Sequence, residues 1–251
     1  MVLRQSRLGE RFLIEHLMGS GGTASVYKGV DLVSSRPVAI KVQSGLHSSQ
    51  EQLERFEQEC HNLAALNHPA VVQYVAHGSS PDGSIYLVME WLVGEDLSEH
   101  LRRGPLTVAE SGEFLTSAVR ALAYIHQRGV MHLDIKPSNL FLRHFHLHEV
   151  TLIDFGLSRQ VLLQSEYNSK IVDPAQLRCG TPYYVAPEVF DLNQVRTPAA
   201  DVFSLGCVMF ECLTGQALFY AEQSDRALIN PALASRPKLQ VLCPQMPSAW
   251  I

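Results

Sequence analysis

The sequence lacks the features that mark membrane-spanning, secreted and nucleic-acid-binding proteins. No stretch reaches the roughly 18 uninterrupted apolar residues of a membrane span, and the polar start from Met1 to Arg11 does not resemble a signal peptide. The 5 cysteines are scattered and never spaced as Cys-x-x-Cys, which favours reduced thiols over a disulfide framework. The formal net charge of -5 disfavours a nucleic-acid-binding face, which is usually basic. We therefore expect a soluble, cytoplasmic protein, with which a membrane anchor beyond residue 251 of a longer parent would be compatible.

The chain also lacks internal repeats and low-complexity linkers, so its 251 residues suit one large domain or two small ones. One helix is predicted between Ser48 and Asn67, opened by a capping box that starts at Ser48. Around it, short segments rich in β-branched or aromatic residues predict the strands Phe12–Met18, Ser25–Val30, Pro37–Val42, Val71–His77 and Ile85–Met89.

After Trp91 the pattern becomes helical. A second capping box, Thr107 to Glu110, opens a helix that stops at Gly129 and whose predicted apolar stripe is Leu115, Ala118, Val119, Leu122 and Ile125. The segment from Asp201 to Leu213 is apolar almost all round, which predicts a buried helix ended by Thr214 and Gly215. These elements predict an α+β fold with a small antiparallel sheet and one main helix in residues 1–90 and a larger, mainly helical part in residues 91–251. We expect a ligand site in the cleft between the two parts.

Two segments carry residues suited to phosphoryl transfer. Residues 132–139 read His-Leu-Asp-Ile-Lys-Pro-Ser-Asn, and Asp154-Phe155-Gly156 follows twenty positions after Asp134. The carboxylate of Asp134 can orient a hydroxyl nucleophile, and Lys136 can neutralise charge on a moving phosphoryl group. Asn139 and Asp154 offer the hard oxygen ligands that magnesium prefers. The pattern therefore predicts metal-assisted phosphoryl transfer.

These segments resemble the catalytic core of eukaryotic-type protein kinases, and Lys136 resembles the serine/threonine-specific pattern. The resemblance implies a bilobal kinase fold that transfers the γ-phosphoryl group of ATP to serine or threonine hydroxyls of protein substrates. It makes Asp134 and Lys136 catalytic residues, and Asn139 and Asp154 the ligands of Mg²⁺ or Mn²⁺. Its motifs follow one another in the family's order from about Leu8 to the end of the chain.

The resemblance extends to a glycine-rich loop, residues 19–26, between two predicted strands. Glycines there let backbone amides approach phosphates, although Ala24 stands where the family usually has a third glycine. Lys41, which ends the strand motif Val-Ala-Ile-Lys, corresponds to the family's lysine that pairs with the α- and β-phosphates, and the resemblance makes it a catalytic residue as well. Helical periodicity leaves Glu57 and Glu59 equally placed as the partner of Lys41, and the resemblance favours Glu59.

The resemblance also places the adenine edge along the backbone from Glu90 to Leu92, with Met89 at the back of the pocket. The nucleotide contacts that it implies are Gly19, Ser20, Gly21, Gly22, Val26, Ala39, Lys41, Glu59, Met89, Glu90 and Leu92.

On the substrate side, the segment Cys179–Glu188 resembles the one that receives the peptide in protein kinases. It makes Thr181 a further catalytic residue, and Asp201 is expected to brace the backbone of the catalytic loop. Leu133 departs from the family, where an arginine usually receives a phosphate from the activation segment. We therefore hypothesise activity without phosphorylation of that segment.

Two further features qualify this picture. His144, His146 and His148 alternate, which predicts one solvated face of a strand more readily than a zinc site. Arg236 follows Glu188 sooner than the matching arginine does in the family, so we expect either a fragment or an abbreviated second lobe. A pseudokinase or nucleotide-binding regulatory scaffold remains the alternative function.

Overall fold

The computed structural model describes residues 6–20, 24–43, 50–80, 82–160, 182–190 and 196–219 of the chain. They belong to two compact units, of which the first ends at Val93 and the second starts at Gly94. The helices within these ranges include none that is long and apolar enough to cross a membrane. In the described residues the first unit is an antiparallel sheet with one helix and the second is mainly helical, which confirms the predicted α+β class.

The first unit is built on a six-stranded antiparallel sheet with the strand order β1-β2-β3-β4-β6-β5. Its elements are β1 (Arg7–Leu8), β2 (Phe12–Ser20), β3 (Ala24–Asp31), β4 (Arg36–Gln43), α1 (Gln50–Ala64), β5 (Tyr74–Ser79) and β6 (Ile85–Glu90). The capping box predicted at Ser48 lies outside the described residues. The strand predicted to begin at Val71 begins three residues later, because the amide of Val71 donates to the carbonyl oxygen of His68 in a turn, at 2.9 Å.

The two faces of this sheet differ, since side chains alternate along each strand. One face forms a buried apolar cluster of Leu8, Phe12, Ile14, Tyr27, Val38, Ile40, Val42 and Val88. The strand register pairs Lys41 with Val26 and Ala39 with Met89, so these four residues share the opposite face. Helix α1 reaches this second face through Glu59, which contacts Lys41. The sheet therefore separates an apolar core from a face that carries predicted nucleotide-binding residues.

The second unit combines helices with short strands. Its strands are β7 (Gly94–Asp96), β8 (Val130–Met131), β9 (Leu140–Arg143), β10 (Val150–Leu152) and β11 (Arg159–Gln160), paired in the order β10-β9-β7 and as β11-β8. Within the described residues its helices are α2 (Leu97–Leu101), α3 (Val108–His126) and α4 (Ala199–Thr214), with 3₁₀ turns at Pro137–Asn139, Pro182–Tyr184 and Pro187–Phe190. Glycine is required at Gly94, because its φ is 141° and an added Cβ would lie 2.0 Å from the carbonyl oxygen of Leu142.

Helix α3 begins at the predicted capping box. The Thr107 hydroxyl accepts from the amide of Glu110 at 3.2 Å, and the Glu110 carboxylate accepts from the amide of Thr107 at 2.8 Å. The apolar stripe is wrong at Val119, which is 48% exposed because it lies about 100° around the helix from buried Ala118. The buried side of α3 is formed by Ser111, Phe114, Ala118, Ala121, Leu122 and Ile125. Helix α4 ends as predicted, with Gly215 in the left-handed conformation at φ 70°.

The three alternating histidines do not lie on a strand, so that prediction is wrong. Strand β9 ends at Arg143, and His144, His146 and His148 belong to the turn that leads to β10. The chain leaves the extended conformation there because His144 and Phe145 have φ angles of 51° and 66°. Among the described residues, no group of three or more histidine, cysteine or acidic side chains is arranged to hold a metal ion.

Candidate active site

The predicted catalytic loop connects β8 to β9, and its hydrogen bonds converge on Asp134. One carboxylate oxygen of Asp134, Oδ2, accepts from Lys136 Nζ at 2.7 Å and from Asn139 Nδ2 at 2.8 Å. Asn139 Nδ2 also donates to the backbone carbonyl of Asp134 at 2.8 Å. The other carboxylate oxygen, Oδ1, accepts no hydrogen bond from the part of the chain that the structure describes. The loop therefore closes around one oxygen of Asp134 and leaves the second as an acceptor.

The same loop is joined to the segment that carries Asp154. The backbone amide of Ile153 donates to the carbonyl oxygen of Asn139 at 3.1 Å. Nδ1 of His132 accepts from the amide of Asp134 at 3.3 Å, so the ring proton lies on Nε2, which donates to the carbonyl oxygen of Ile153 at 3.1 Å. The ring of His132 also packs against buried Phe155, with 4.8 Å between ring centroids. Asp154 is thus held on a segment fixed to the catalytic loop.

Asp201, at the start of helix α4, holds the backbone of the loop. Its carboxylate is fully buried and accepts from the amide of His132 at 2.9 Å and from the amide of Leu133 at 2.7 Å. The imidazole of His126, at the end of helix α3, donates to the same carboxylate at 2.7 Å. The predicted bracing role of Asp201 is confirmed. The contribution of His126 was missed, because nothing in the sequence pattern distinguishes it from other histidines at helix ends.

In the first unit, Lys41 pairs with Glu59. Lys41 Nζ lies 2.7 Å from Oε1 and 3.0 Å from Oε2 of Glu59, whose side chain is almost fully buried. Glu57, the alternative that periodicity left open, is exposed to solvent. The carboxylate holds the ammonium group of Lys41 on the sheet face that also carries Val26, Ala39 and Met89.

The β2–β3 hairpin carries the described part of the glycine-rich loop. Gly19 pairs with Val26 and Ser20 with Ser25, and the two serine hydroxyl oxygens lie 3.1 Å apart. A Cβ added at Gly19 would meet nothing within 4 Å, so open space adjoins the backbone at this position. Three predicted site residues lie outside the described ranges: Gly21, Gly22 and Thr181.

The end of β6 is fixed by Glu90. Its amide donates to the carbonyl oxygen of Gln73 at 2.9 Å, and its carboxylate accepts from the amide of Gln73 at 2.9 Å. The side chain of Glu90 therefore has a structural function beside the predicted contact of its backbone with adenine. Leu92, two residues further on, is partly buried.

A family model described as the protein kinase domain matches residues 12–242. The chain belongs to the protein kinase family. It is similar to the serine/threonine-protein kinases PknB of Mycobacterium tuberculosis, with 34% identity over 219 residues, pkn2 of Myxococcus xanthus, with 36% over 214 residues, and PrkC of Bacillus subtilis, with 30% over 245 residues. These matches cover 85%, 84% and 97% of this chain but only 34%, 25% and 36% of the three relatives. The chain thus spans a quarter to about a third of their length.

The donor atoms of this kinase domain suit a hard divalent ion. Asn139 is 4% exposed and its amide nitrogen is bonded to Asp134, so its carbonyl oxygen is the end that can serve as a ligand. Asp154 is exposed and supplies a carboxylate. Amide and carboxylate oxygens are the ligands that Mg²⁺ takes from proteins.

The backbone is strained in the catalytic loop and in the segment that carries Asp154. Leu133 and Asp154 adopt the left-handed conformation, with φ angles of 62° and 61°. Such a conformation costs about 1–3 kcal/mol for a residue with a side chain. At Leu133 the two hydrogen bonds that Asp201 accepts from the loop backbone offset this cost. The strained conformation of Leu133 is therefore maintained by Asp201, a residue that is far away in the sequence.

The 3₁₀ turn Pro182–Tyr184 is also fixed to helix α4. The phenol of Tyr184 donates to Glu211 Oε2 at 2.5 Å. Burial, together with the nearby carboxylate, raises the pKa of Tyr184 far above its usual range, so the hydroxyl stays protonated and remains a donor. The sequence pattern did not predict this contact, which joins residues 27 positions apart.

Proposed function

We propose that this domain transfers the γ-phosphoryl group of ATP to serine or threonine hydroxyls of protein substrates. The observation that carries the proposal is the arrangement at Asp134. Lys136 and Asn139 hold one of its oxygens, so the other is oriented to accept the proton of an incoming hydroxyl. The similarity to three serine/threonine-protein kinases supports the same substrate class.

Each remaining site residue then has a chemical role. Lys41, oriented by Glu59, binds the α- and β-phosphates, and Lys136 neutralises charge that develops on the transferred group. Asn139 and Asp154 would hold Mg²⁺, which would neutralise negative charge on the phosphates. Thr181 would contact the loop from the substrate side. Catalysis would thus rest on positioning and electrostatic stabilisation rather than on a covalent intermediate.

We further assign the nucleotide to the unit that ends at Val93 and the peptide to the unit that starts at Gly94. In the first unit, Val26, Ala39 and Met89 share the sheet face of Lys41 and would contact the adenine and ribose. Gly19, Ser20, Gly21 and Gly22 would follow the phosphates, and the backbone of Glu90 to Leu92 would bind the adenine edge.

The direct test is transfer of radiolabel from [γ-³²P]ATP to a generic protein substrate in the presence of Mg²⁺. We expect incorporation that EDTA abolishes, with label on serine or threonine after acid hydrolysis. Thermal stabilisation by Mg-ATP without transfer would instead favour the regulatory scaffold. Label on tyrosine would contradict the proposed specificity.

Leu133 leads to a prediction about regulation. An arginine at this position could pair with a phosphate on the activation segment, but leucine carries no charge and cannot. Treatment of the purified protein with a phosphatase, followed by removal of the phosphatase, should leave the transfer rate unchanged. A large fall in rate, restored by re-phosphorylation, would contradict this expectation.

A further inference from the structure

The side chain of Leu133 occupies a specific apolar site in the second unit. Ala186, Val189 and Ala200 form a buried cluster, and Leu133 packs against it together with Val185 and Phe203. We call these three buried residues the Ala186 cluster. Ala186 lies within the predicted substrate segment Cys179–Glu188, Val189 directly follows it, and Ala200 lies in the first turn of α4. Leu133 thus connects the catalytic loop to both.

The backbone and the side chain of Leu133 are held from different directions. Its amide donates to Asp201 at 2.7 Å, and its left-handed φ of 62° turns the chain immediately before Asp134. A left-handed leucine has no local preference for this conformation, so contacts elsewhere must maintain it. The Ala186 cluster supplies such contacts to the side chain, one residue away from the carboxylate that would accept the proton.

The residues around the Ala186 cluster are themselves fixed to α4. Tyr184 donates to Glu211 at 2.5 Å, and Val189 and Ala186 pack on Ala200. The catalytic loop, the substrate-side segment and helix α4 are therefore joined by apolar packing and by a hydrogen bond between two side chains.

From this arrangement we propose that Leu133 is a positioning residue of the kinase domain. Its packing against the Ala186 cluster fixes the left-handed bend of the loop and, through it, the orientation of Asp134 relative to residues 182–190. An apolar contact thus couples the catalytic loop to residues 182–190. An arginine at this position would instead do so by pairing with a charged group. The proposal rests on the proposed function, since the positioned group is Asp134.

The test is a comparison of Leu133→Ala with Leu133→Met. Alanine removes the contact with the Ala186 cluster, so kcat should fall about tenfold or more, because small displacements of a reacting group are costly. The KM for ATP should stay within about twofold, since the nucleotide contacts are untouched. Methionine, like leucine, is apolar, of similar volume and not branched at Cβ, so it should restore the contact and recover most of kcat.

Two further variants complete the design. Val202→Ala, on the exposed side of the same α4 turn, is the matched control and should keep the wild-type kcat. Val189→Ala shortens the other side of the contact, and combined with Leu133→Ala it should lower kcat by less than the product of the two single effects. All rates are measured well below the unfolding temperature of each variant, so that loss of stability does not enter them.

An unchanged kcat in Leu133→Ala, in a preparation whose wild type transfers phosphate, would overturn this inference and leave the proposed function intact. If Leu133→Ala does not fold, an unchanged kcat in Val189→Ala has the same meaning. If the wild-type protein itself transfers no phosphate, both the role of Leu133 and the proposed function are overturned. The wild-type assay therefore distinguishes failure of the proposed function from failure of this inference.

Discussion

Replacing Lys41 with methionine is expected to reduce phosphoryl transfer to the background of the assay and to lower the free energy of unfolding. Methionine keeps the length of the side chain but removes the ammonium group that would bind the phosphates. It also removes the ammonium group that lies 2.7 Å from the carboxylate of Glu59, whose side chain is 5% exposed. Breaking a fully buried ion pair costs about 3–5 kcal/mol, and the partial exposure of Lys41 makes this an upper bound here.

A double variant separates the two effects. In Lys41→Met combined with Glu59→Gln, the carboxylate that lost the ammonium group is replaced by a neutral amide, so the unfolding temperature should return toward that of the wild type. Transfer should stay at background because the ammonium group is still missing. Arg36→Met, at the exposed start of the same strand, controls for the removal of a cation and should behave as wild type. Transfer by Lys41→Met near the wild-type rate, or its recovery in the double variant, would refute the assignment of Lys41.

The pairing of Lys41 illustrates what the sequence can predict and where tertiary geometry decides. The capping box at Thr107 and Glu110 was predictable because both bonds form within one helical turn. The partner of Lys41 was not, because Glu57 and Glu59 flank the same apolar stripe. Only the approach of α1 to strand β4 distinguishes them, and the family resemblance anticipated that result where periodicity did not.

The features that the sequence did not predict depend on contacts between distant residues. The left-handed conformation of Leu133 opposes its local preference and is held by Asp201, 68 positions away. The bond from Tyr184 to Glu211 likewise spans residues of two separate elements. The local sequence pattern indicates only local conformational preference. These features form because tertiary contacts outweigh that preference.

Two of the wrong predictions, for the histidines and for Val119, have a common origin in periodicity applied to few residues. Alternation of three histidines satisfies a strand pattern, yet His144 and Phe145 adopt positive φ angles and form a turn. Val119 fits the spacing of a helical stripe but lies at its edge, where a side chain faces water. In both cases the pattern covered too few residues to determine which way each side chain points.

Replacing Asp134 with asparagine should lower kcat by about 10²–10⁴-fold, the range typical for loss of a positioned general base. The geometry of the loop predicts why the variant should still fold. Lys136 and Asn139 both donate to Oδ2, so the carbonyl oxygen of the new amide must occupy that position. The amide nitrogen then takes the place of Oδ1 and presents a donor, where the incoming hydroxyl requires an acceptor.

Nucleotide binding should therefore survive in Asp134→Asn while transfer is lost. Lys41, Glu59, Asn139 and Asp154 are unchanged, so Mg-ATP should still raise the unfolding temperature by nearly the wild-type amount. Glu113→Gln, which neutralises an exposed carboxylate on α3, is the matched control and should retain full activity. Loss of both transfer and nucleotide-dependent stabilisation would mean that Asp134 maintains the site rather than acting on the hydroxyl. A rate close to that of the wild type would remove Asp134 from the reaction and, with it, the observation on which the proposed kinase activity rests.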